Sequence, residues 1–522
     1  MTKPVHPVSL YTWGCSLFAA VGSLLYGIDS GIISTTISQP SFIAYFAPLT
    51  PSIKGAIVSI FGAGSFFGLI FAGWAADYWG RKKTIQFASV FALIAGIIQA
   101  AATNVGMLIA GRIIGGFAVG IMSKPKLTGY IYTLRLFLTK RTDMTIPIYN
   151  SEISPPSKRG MITGLHAQFV GIGFAVANWV GFGCSYSTSD FQWRFPLAFQ
   201  CLPALIVLIG TFWLPYSPRW LLENERDEEA YTVLKRLHGD IGNDESFLQA
   251  EFAQMRDQIR FEKSITVSST KELFAKPNNR KRIVLAILIQ VFTQLSGINV
   301  INYYQTDLYK GLGITGHTVT LLASIYGMVG PIANVICLYF VDSWGRRKTL
   351  WITGIIMAID ISLVMAMTAS FTGTSNAIGK GFGIAFIFCF SIIYSLGYNS
   401  IHYIYVPEIM TMAIRAQGSS ISMCCNVLVN IIFNQVSPIA FASVGWKYYS
   451  LFICTNILGA VVVFMYFPET KGKSLEEIAA IFGDEVITPD LASTREKILA
   501  EYEEREEHAG YQEANLTTDK TK

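Results

Sequence analysis

An all-α membrane protein of twelve spans is what this sequence predicts, on three observations. Apolar residues make up 52% of the 522-residue chain and charged ones only 14%, a balance that soluble surfaces cannot disperse. Twelve segments carry the roughly 20 mostly apolar residues that a helix needs to cross the hydrocarbon core, with short polar joints between most of them. Finally, a charged knot from Asp77 to Lys83 (Asp-Tyr-Trp-Gly-Arg-Lys-Lys) returns from Asp342 to Lys348 (Asp-Ser-Trp-Gly-Arg-Arg-Lys), so the chain reads as one half written twice.

The spans fall near residues 10–33, 53–76, 84–102, 105–150 (interrupted), 161–183, 195–214, 283–305, 318–341, 349–370, 381–407, 416–438 and 446–467. That is six, a long polar loop, and six more. The first run lacks an evident cleavage site and is rich in small residues, so it reads as a retained span whose Gly22, Gly27 and Gly31 allow close helix contact. It also holds Asp29, and a carboxyl within a membrane helix is expensive unless paired. The second span ends in the first knot, where Gly80 permits a tight turn and Asp77 and Arg81 are placed to pair across helix ends. The fourth offers Arg112 among apolar residues; Asp29 is its natural partner.

Beyond Ser123 the fourth span breaks down. The stretch 124–143 has Pro125 near its start, five basic residues and one acid, which no mid-membrane helix accommodates. Joining Ser123 directly to Met144 gives an unbroken helix of ordinary length, so the stretch reads as an insertion, a translated intron or a gene-model error, with a genuine lineage-specific loop as the alternative. The knots serve as a ruler. Glu152 lies 72 residues beyond Gly80 whereas Glu408 lies 63 beyond Gly345, although the first half has the tighter joint at Thr103-Asn104.

The loop 215–282 opens with a proline-stopped exit and has a charged helical pattern, as at Glu228, Glu229, Lys235 and Arg236. The remaining divisions are 1–214, 283–467 and a tail, 468–522, that begins helical and fades into polar sequence. Most of the eight cysteines sit in apolar segments, as Cys15, Cys337, Cys389, Cys424, Cys425 and Cys454 show, and read as small core hydrophobes. Asp360 and His402, also within spans, read as packing groups.

Basic residues gather in alternate joints: Arg81 to Lys83, Lys158 and Arg159, Arg346 to Lys348, and Arg415. The positive-inside rule makes that side cytoplasmic, with both termini. A net charge of +5 that is not gathered on one face points to the lipid bilayer rather than to nucleic acid. The sequence offers no metal cluster, nucleophile–base set or phosphate loop, so neither an enzyme nor a cofactor is expected.

Taken in order, the motifs resemble those of the sugar porter family of the major facilitator superfamily, and its fungal branch most. They are the two Asp-x-x-Gly-Arg knots, Pro147-x-Tyr-x-Ser-Glu152, Ser217-Pro-Arg-Trp-Leu221, Gln294-Leu-Ser-Gly-x-Asn299-x-x-x-Tyr303-Tyr304, and Pro468-Glu-Thr-Lys-Gly472. The resemblance implies two six-helix bundles related by a pseudo-two-fold axis, with a sugar or polyol bound between them and alternating access by rocking. It implies a plasma-membrane carrier in which Asp77, Arg81, Glu152 and Arg159, with Asp342, Arg346, Glu408 and Arg415, form a cytoplasmic gate. Asp29 and Arg112 resemble the proton-coupling pair of symporting members, which favours proton symport over facilitative uniport. A non-transporting nutrient sensor is a third reading.

A sugar site needs amides and hydroxyls that both donate and accept, and an aromatic face for the ring. Gln290, Gln294 and Asn299 lie on one stripe of the seventh span, and Asn426 and Asn430 on the eleventh. With Tyr303, Tyr403 and Gln168 they make up the candidate substrate contacts. The chain departs from the commoner hexose pattern at Thr293, Tyr403, Val427, Ala167 and Gly330, so glucose specificity does not carry over.

Overall fold

The computed structural model describes residues 9–123, 145–153, 159–238, 248–249, 251–257, 259, 274, 276–411, 414–473 and 475–484. The segment 124–143 and the tail beyond residue 484 lie outside them. So does most of the loop 215–282 after the helices Pro218–Glu223 and Asp227–His238, whose Trp220, Leu221, Leu222 and Ala230 pack with Ile259 in a small core.

Eleven helical stretches are long and apolar enough to cross a membrane, and the last, Gln417–Tyr466, contains two helices joined at Gly445. The twelve spans are α1 (Leu10–Thr36), α2 (Pro51–Tyr78), α3 (Gly80–Ala100), α4 (Val105–Ser123, then Thr145–Ile153), α5 (Arg159–Ser185) and α6 (Phe191–Phe199, then Cys201–Gly210). The second set is α7 (Pro277–Leu295, then Ile298–Gly311), α8 (His317–Trp344), α9 (Arg346–Phe371), α10 (Ala377–Ile409), α11 (Arg415–Val444) and α12 (Tyr449–Tyr466). They form two bundles of six helices. Within the compact unit Met1–Gly472, α2 packs on α11, α5 on α8, and the second half of α7 on α1. The helix Leu475–Ile481 belongs to a second unit.

Lipid tails are as apolar as leucine, so close van der Waals packing rather than exclusion of water holds the helices together. At several glycines of the first bundle that packing is backbone on backbone. A Cβ on Gly27 would strike the carbonyl of Val170, and one on Gly173 the carbonyl of Leu24, which locks α1 to α5. Gly64 and Gly68 of α2 meet the carbonyls of Ile113 and Phe117 in the same way, while Gly116 and Gly120 of α4 meet those of Phe61 and Ser65. Glycines of the second bundle meet side chains instead: Gly397 meets Thr353 and Gly459 meets Phe292.

The duplication is visible in three dimensions. Both knots turn through a positive-φ glycine, Gly80 at 80° and Gly345 at 86°. The Tyr149 hydroxyl donates to the Pro215 carbonyl at 2.9 Å where α6 exits, and the Tyr405 hydroxyl to the Pro468 carbonyl at 3.0 Å where α12 exits.

Away from the knots, the bundles are fastened to each other. Lys54 of α2 pairs with Asp307 of α7 at 3.0 Å. Lys310 donates to the Ser38 carbonyl at 2.8 Å and Thr306 to that of Ser34 at 3.0 Å, while His317 stacks on Tyr186. The ion pair borders a cavity of about 340 Å³ that Tyr304, Phe441 and Ala442 also line. Reversing either charge, Lys54→Asp or Asp307→Lys, sets like charges side by side in a partly buried gap. Each single reversal is expected to open this end and speed maleimide labelling of an Ala442→Cys reporter in the purified protein; the double reversal is expected to restore slow labelling. Equal rates in all four proteins would show that the pair does not fasten the bundles.

The free cysteines divide. Cys15, Cys337 and Cys424 are buried, but Cys389 and Cys454 are exposed, so those two are not the core hydrophobes their sequence surroundings suggest: their helices turn them outward.

Candidate functional site

Asp29 and Arg112 are both almost wholly buried, and Arg112 Nη1 donates to Asp29 Oδ1 at 2.7 Å. The guanidinium also donates to the Asp29 and Ile57 carbonyls at 3.3 Å and lies 4.4 Å above the Phe61 ring. A charge taken out of water is tolerable only when it is paired and bonded, and Nε and Nη1 are, whereas Nη2 is buried without a hydrogen-bond partner. The second carboxylate oxygen, Oδ2, is buried without a hydrogen-bond partner. Gly115 leaves it space, since a Cβ there would stand 3.3 Å away. Tyr303 of α7 lies beside Ser30, within electrostatic reach of both Asp29 and Arg112. The pair therefore sits where the bundles meet.

The amides of α7 and α11 form one network. Asn426 donates to Gln290 Oε1 at 3.0 Å, and Gln294 donates to Asn426 Oδ1 at 2.8 Å. Gln294 Oε1 accepts from Asn430 at 3.2 Å and also from Asn299. Asn434 donates to Asn430 at 2.9 Å, and its carbonyl accepts the Tyr304 hydroxyl. The stripe is not one continuous helix, however. The chain breaks after Leu295 and restarts at Ile298, with Gly297 at φ 92°, so Asn299 belongs to the second half of α7 and turns back onto Gln294. Bending the helix here brings the amide of one half against that of the other, which helical spacing alone does not.

Tyr403 is 44% exposed, whereas Tyr303 is buried. Tyr303, Tyr394 and Tyr403 each lie within electrostatic reach of Tyr26. Gln168 reaches across the bundle interface: its amide donates to the Pro331 carbonyl at 3.2 Å and its oxygen accepts from Asn334 at 3.4 Å, while Asn399 donates to Asn334 at 3.3 Å.

At the knots, Arg81 pairs with Glu152 at 2.9 Å and with Glu223 at 3.7 Å, and Arg346 pairs with Glu408 at 3.0 Å. Each of these pairs stays within its own half. Thr470 donates to the other Glu408 oxygen at 2.7 Å. Among the described residues, Arg415 contacts the Met410 carbonyl at 3.4 Å. The side chains of Asp77, Arg159 and Asp342 lie outside the described residues, so the Asp77–Arg81 pairing has no counterpart here.

Several participants escape sequence reading. Glu469 accepts from the backbone N–H groups of Arg346 and Arg347 at 2.8 and 3.1 Å, placing an anion at the N-terminus of α9. Its motif is legible, but its partners are more than a hundred residues away. Glu223, Asn334 and Asn399 carry no local signal. His402 and Asp360 differ: a ring N–H of His402 donates to the Tyr398 carbonyl at 2.7 Å, whereas Asp360 is buried with Oδ2 unpartnered, so packing accounts for only the first.

Comparison with known proteins places these features. The family model "Sugar (and other) transporter" matches residues 15–125 and 142–482. The chain is 37% identical to the MFS-type transporter criB of Aspergillus cristatus, over 90% of this chain and 93% of that protein. It is 29% identical to the high-affinity glucose transporter of Kluyveromyces lactis, over 92% and 86%, and 30% identical to the quinate permease of Neurospora africana, over 91% and 90%. In fold it is similar to the inward-open xylose transporter XylE from E. coli, with a TM-score of 0.73 at 23% identity over 90% of this chain and all of that one. With its twelve spans, paired knots and amide-lined interface, the chain belongs to the sugar (and other) transporter family of the major facilitator superfamily.

Proposed function

We propose that the protein carries a polyhydroxylated solute, a sugar or related polyol, across the plasma membrane by alternating access, in symport with a proton. The observation that carries the coupling is the Asp29–Arg112 pair, whose Oδ2 is unpartnered beside Tyr303 of the opposite bundle. Protonation there weakens the attraction to Arg112, and α7 reports the change directly to the amide network. Proton and solute thus bias one conformational equilibrium.

Gln290, Gln294, Asn299, Asn426 and Gln168 supply the donors and acceptors for solute hydroxyls, and Tyr303 and Tyr403 supply aromatic faces. The amides of α7 and α11 bond one another, so a solute exchanges amide–amide bonds for amide–hydroxyl bonds. The relatives named as glucose transporter and quinate permease support a ring bearing several hydroxyls. The basic knots lie on the cytoplasmic side with both termini, and the pairs Arg81–Glu152 and Arg346–Glu408, with Asp77, Arg159, Asp342 and Arg415, form a gate there that opens and closes as the carrier cycles.

The test is uptake by cells lacking their own sugar carriers, over labelled hexoses, pentoses, disaccharides, polyols and quinate, with a pH electrode outside. Accumulation of one class together with external alkalinisation is expected. Uptake without alkalinisation would point to uniport, and binding without uptake to a sensor.

A further inference from the structure

We propose that the cavity beside the Lys54–Asp307 pair is a binding site for a small carboxylate carried on a ring. The proposal goes beyond the solute-transport reading and does not depend on it. A volume of about 340 Å³ lies at the lower end of the range for small-molecule pockets, which suits a single ring bearing one polar group. Most of the lining is apolar: Ile43, Leu49 and Pro51 come from the first half of the chain, Pro438, Phe441 and Ala442 from the second. The Phe441 ring is held edge-on by Tyr448 and Tyr449, at centroid distances of 5.0 and 5.7 Å, so it stands as a fixed flat wall. Pockets of this kind owe their selectivity to a small number of polar groups.

Of the three polar side chains in the lining, two are committed. The Tyr304 hydroxyl donates to the Asn434 carbonyl at 2.7 Å, and both Asp307 oxygens accept from Lys54 at 3.0 Å. Lys54 is the third. An ammonium carries three N–H groups and Asp307 takes two, so one stays uncommitted among the described residues. Lys310, which donates to the Ser38 carbonyl at 2.8 Å, lies within electrostatic reach of both members of the pair. Two cations thus share one carboxylate. The imbalance extends over this end of the molecule, away from the knots: Asp190 is engaged by Arg194 at 3.4 Å, while Lys380 and Lys447 add further positive charge. A field of one sign over a partly apolar recess draws anions and repels cations. A carboxylate accepts the spare N–H in a charge-assisted bond while its ring lies against Phe441 and the two prolines. Because Lys54 and Asp307 belong to opposite bundles, the newcomer competes with Asp307 for Lys54 and loosens the fastening between them.

The experiment measures binding of labelled benzoate to the purified full-length protein, with benzamide, its uncharged counterpart, as competitor. Saturable binding is expected, and benzamide should displace the label about ten-fold less well than unlabelled benzoate. Lys54→Gln is expected to weaken binding about ten-fold, and Lys54→Arg, which keeps the cation, by no more than about three-fold. Asp307→Asn removes the competitor and is expected to tighten binding several-fold, the opposite of what damage to the pocket would do. Binding that does not saturate, that survives Lys54→Gln unchanged, or that benzamide displaces as readily as benzoate overturns the assignment. So does Asp307→Asn protein that binds no more tightly than wild type. The benzamide competition and the Asp307→Asn protein decide the matter even where Lys54→Gln fails to fold, and neither readout involves transport.

Discussion

Asp29→Asn protein is expected to go on exchanging solute across the membrane while the alkalinisation that accompanies net uptake disappears. The reasoning starts from what Arg112 retains. An asparagine oxygen still accepts from Nη1, the Asp29 and Ile57 carbonyls are untouched, and the Phe61 ring remains beneath the guanidinium. The cation is therefore not orphaned, and the pocket is fixed in a charge state equivalent to the protonated one. Exchange needs only the loaded carrier to reorient, which that state permits. Net coupled uptake needs proton release, which an amide cannot perform. Arg112→Leu removes the other partner and strands a carboxylate, a change that costs about 3–5 kcal/mol at buried pairs and is expected to lower the yield of folded carrier. The measurement is parallel: labelled-solute counterflow in vesicles, and external pH during net uptake by cells. Undiminished alkalinisation in Asp29→Asn cells would remove this residue from the coupling.

Deleting residues 124–143 is expected to raise uptake several-fold over the full sequence, because small gains in stability change the abundance of a marginal protein by that much. The helix bearing Arg112 ends at Ser123, and the helix bearing Glu152 begins at Thr145, so the two chemical ends of α4 are separated by this stretch. Each of its five basic residues would cost about 2.5–3.5 kcal/mol at the centre of the hydrocarbon, and a proline within a helix about 3 kcal/mol. The family model skips residues 126–141, and removing the stretch brings the Gly80-to-Glu152 interval below the Gly345-to-Glu408 one, as the shorter joint requires. Uptake assays on both versions, with sequencing of the mature transcript, decide the matter. Equal uptake by the two, with the codons present in the dominant message, would make the segment a genuine part of the carrier.

The spans were legible because membrane helices advertise themselves through long apolar runs, and the knots because charge at a helix joint stands out against such runs. The interruption of α7 was not. Gly297 follows a serine in an otherwise regular pattern, and its positive φ is set by how the halves of α7 pack, not by neighbours in sequence. The pairing of Asp29 with Arg112 could be argued from cost alone, since a membrane leaves two opposite charges few alternatives. Amides carry no such compulsion. Asn334 and Asn399 look like any single asparagine in an apolar helix, and only the juxtaposition of α5, α8 and α10 shows what they face. Glu469 was hidden for a related reason, because its partners are backbone groups of a distant helix end, which have no sequence signature.

The glycine contacts of the first bundle bear on how such a carrier diversifies. Where carbonyl meets glycine between α1 and α5 and between α2 and α4, almost any replacement collides with main chain, so these positions have little freedom to drift. Second-bundle glycines face side chains, which can be exchanged in compensating pairs. New substrate preferences should therefore arise by changes in the second half while the first is inherited nearly intact. A mutagenesis library aimed at a new solute is best spent on α7, α8, α10 and α11, and hybrids that exchange whole halves between related carriers should carry the preference of the second-half donor.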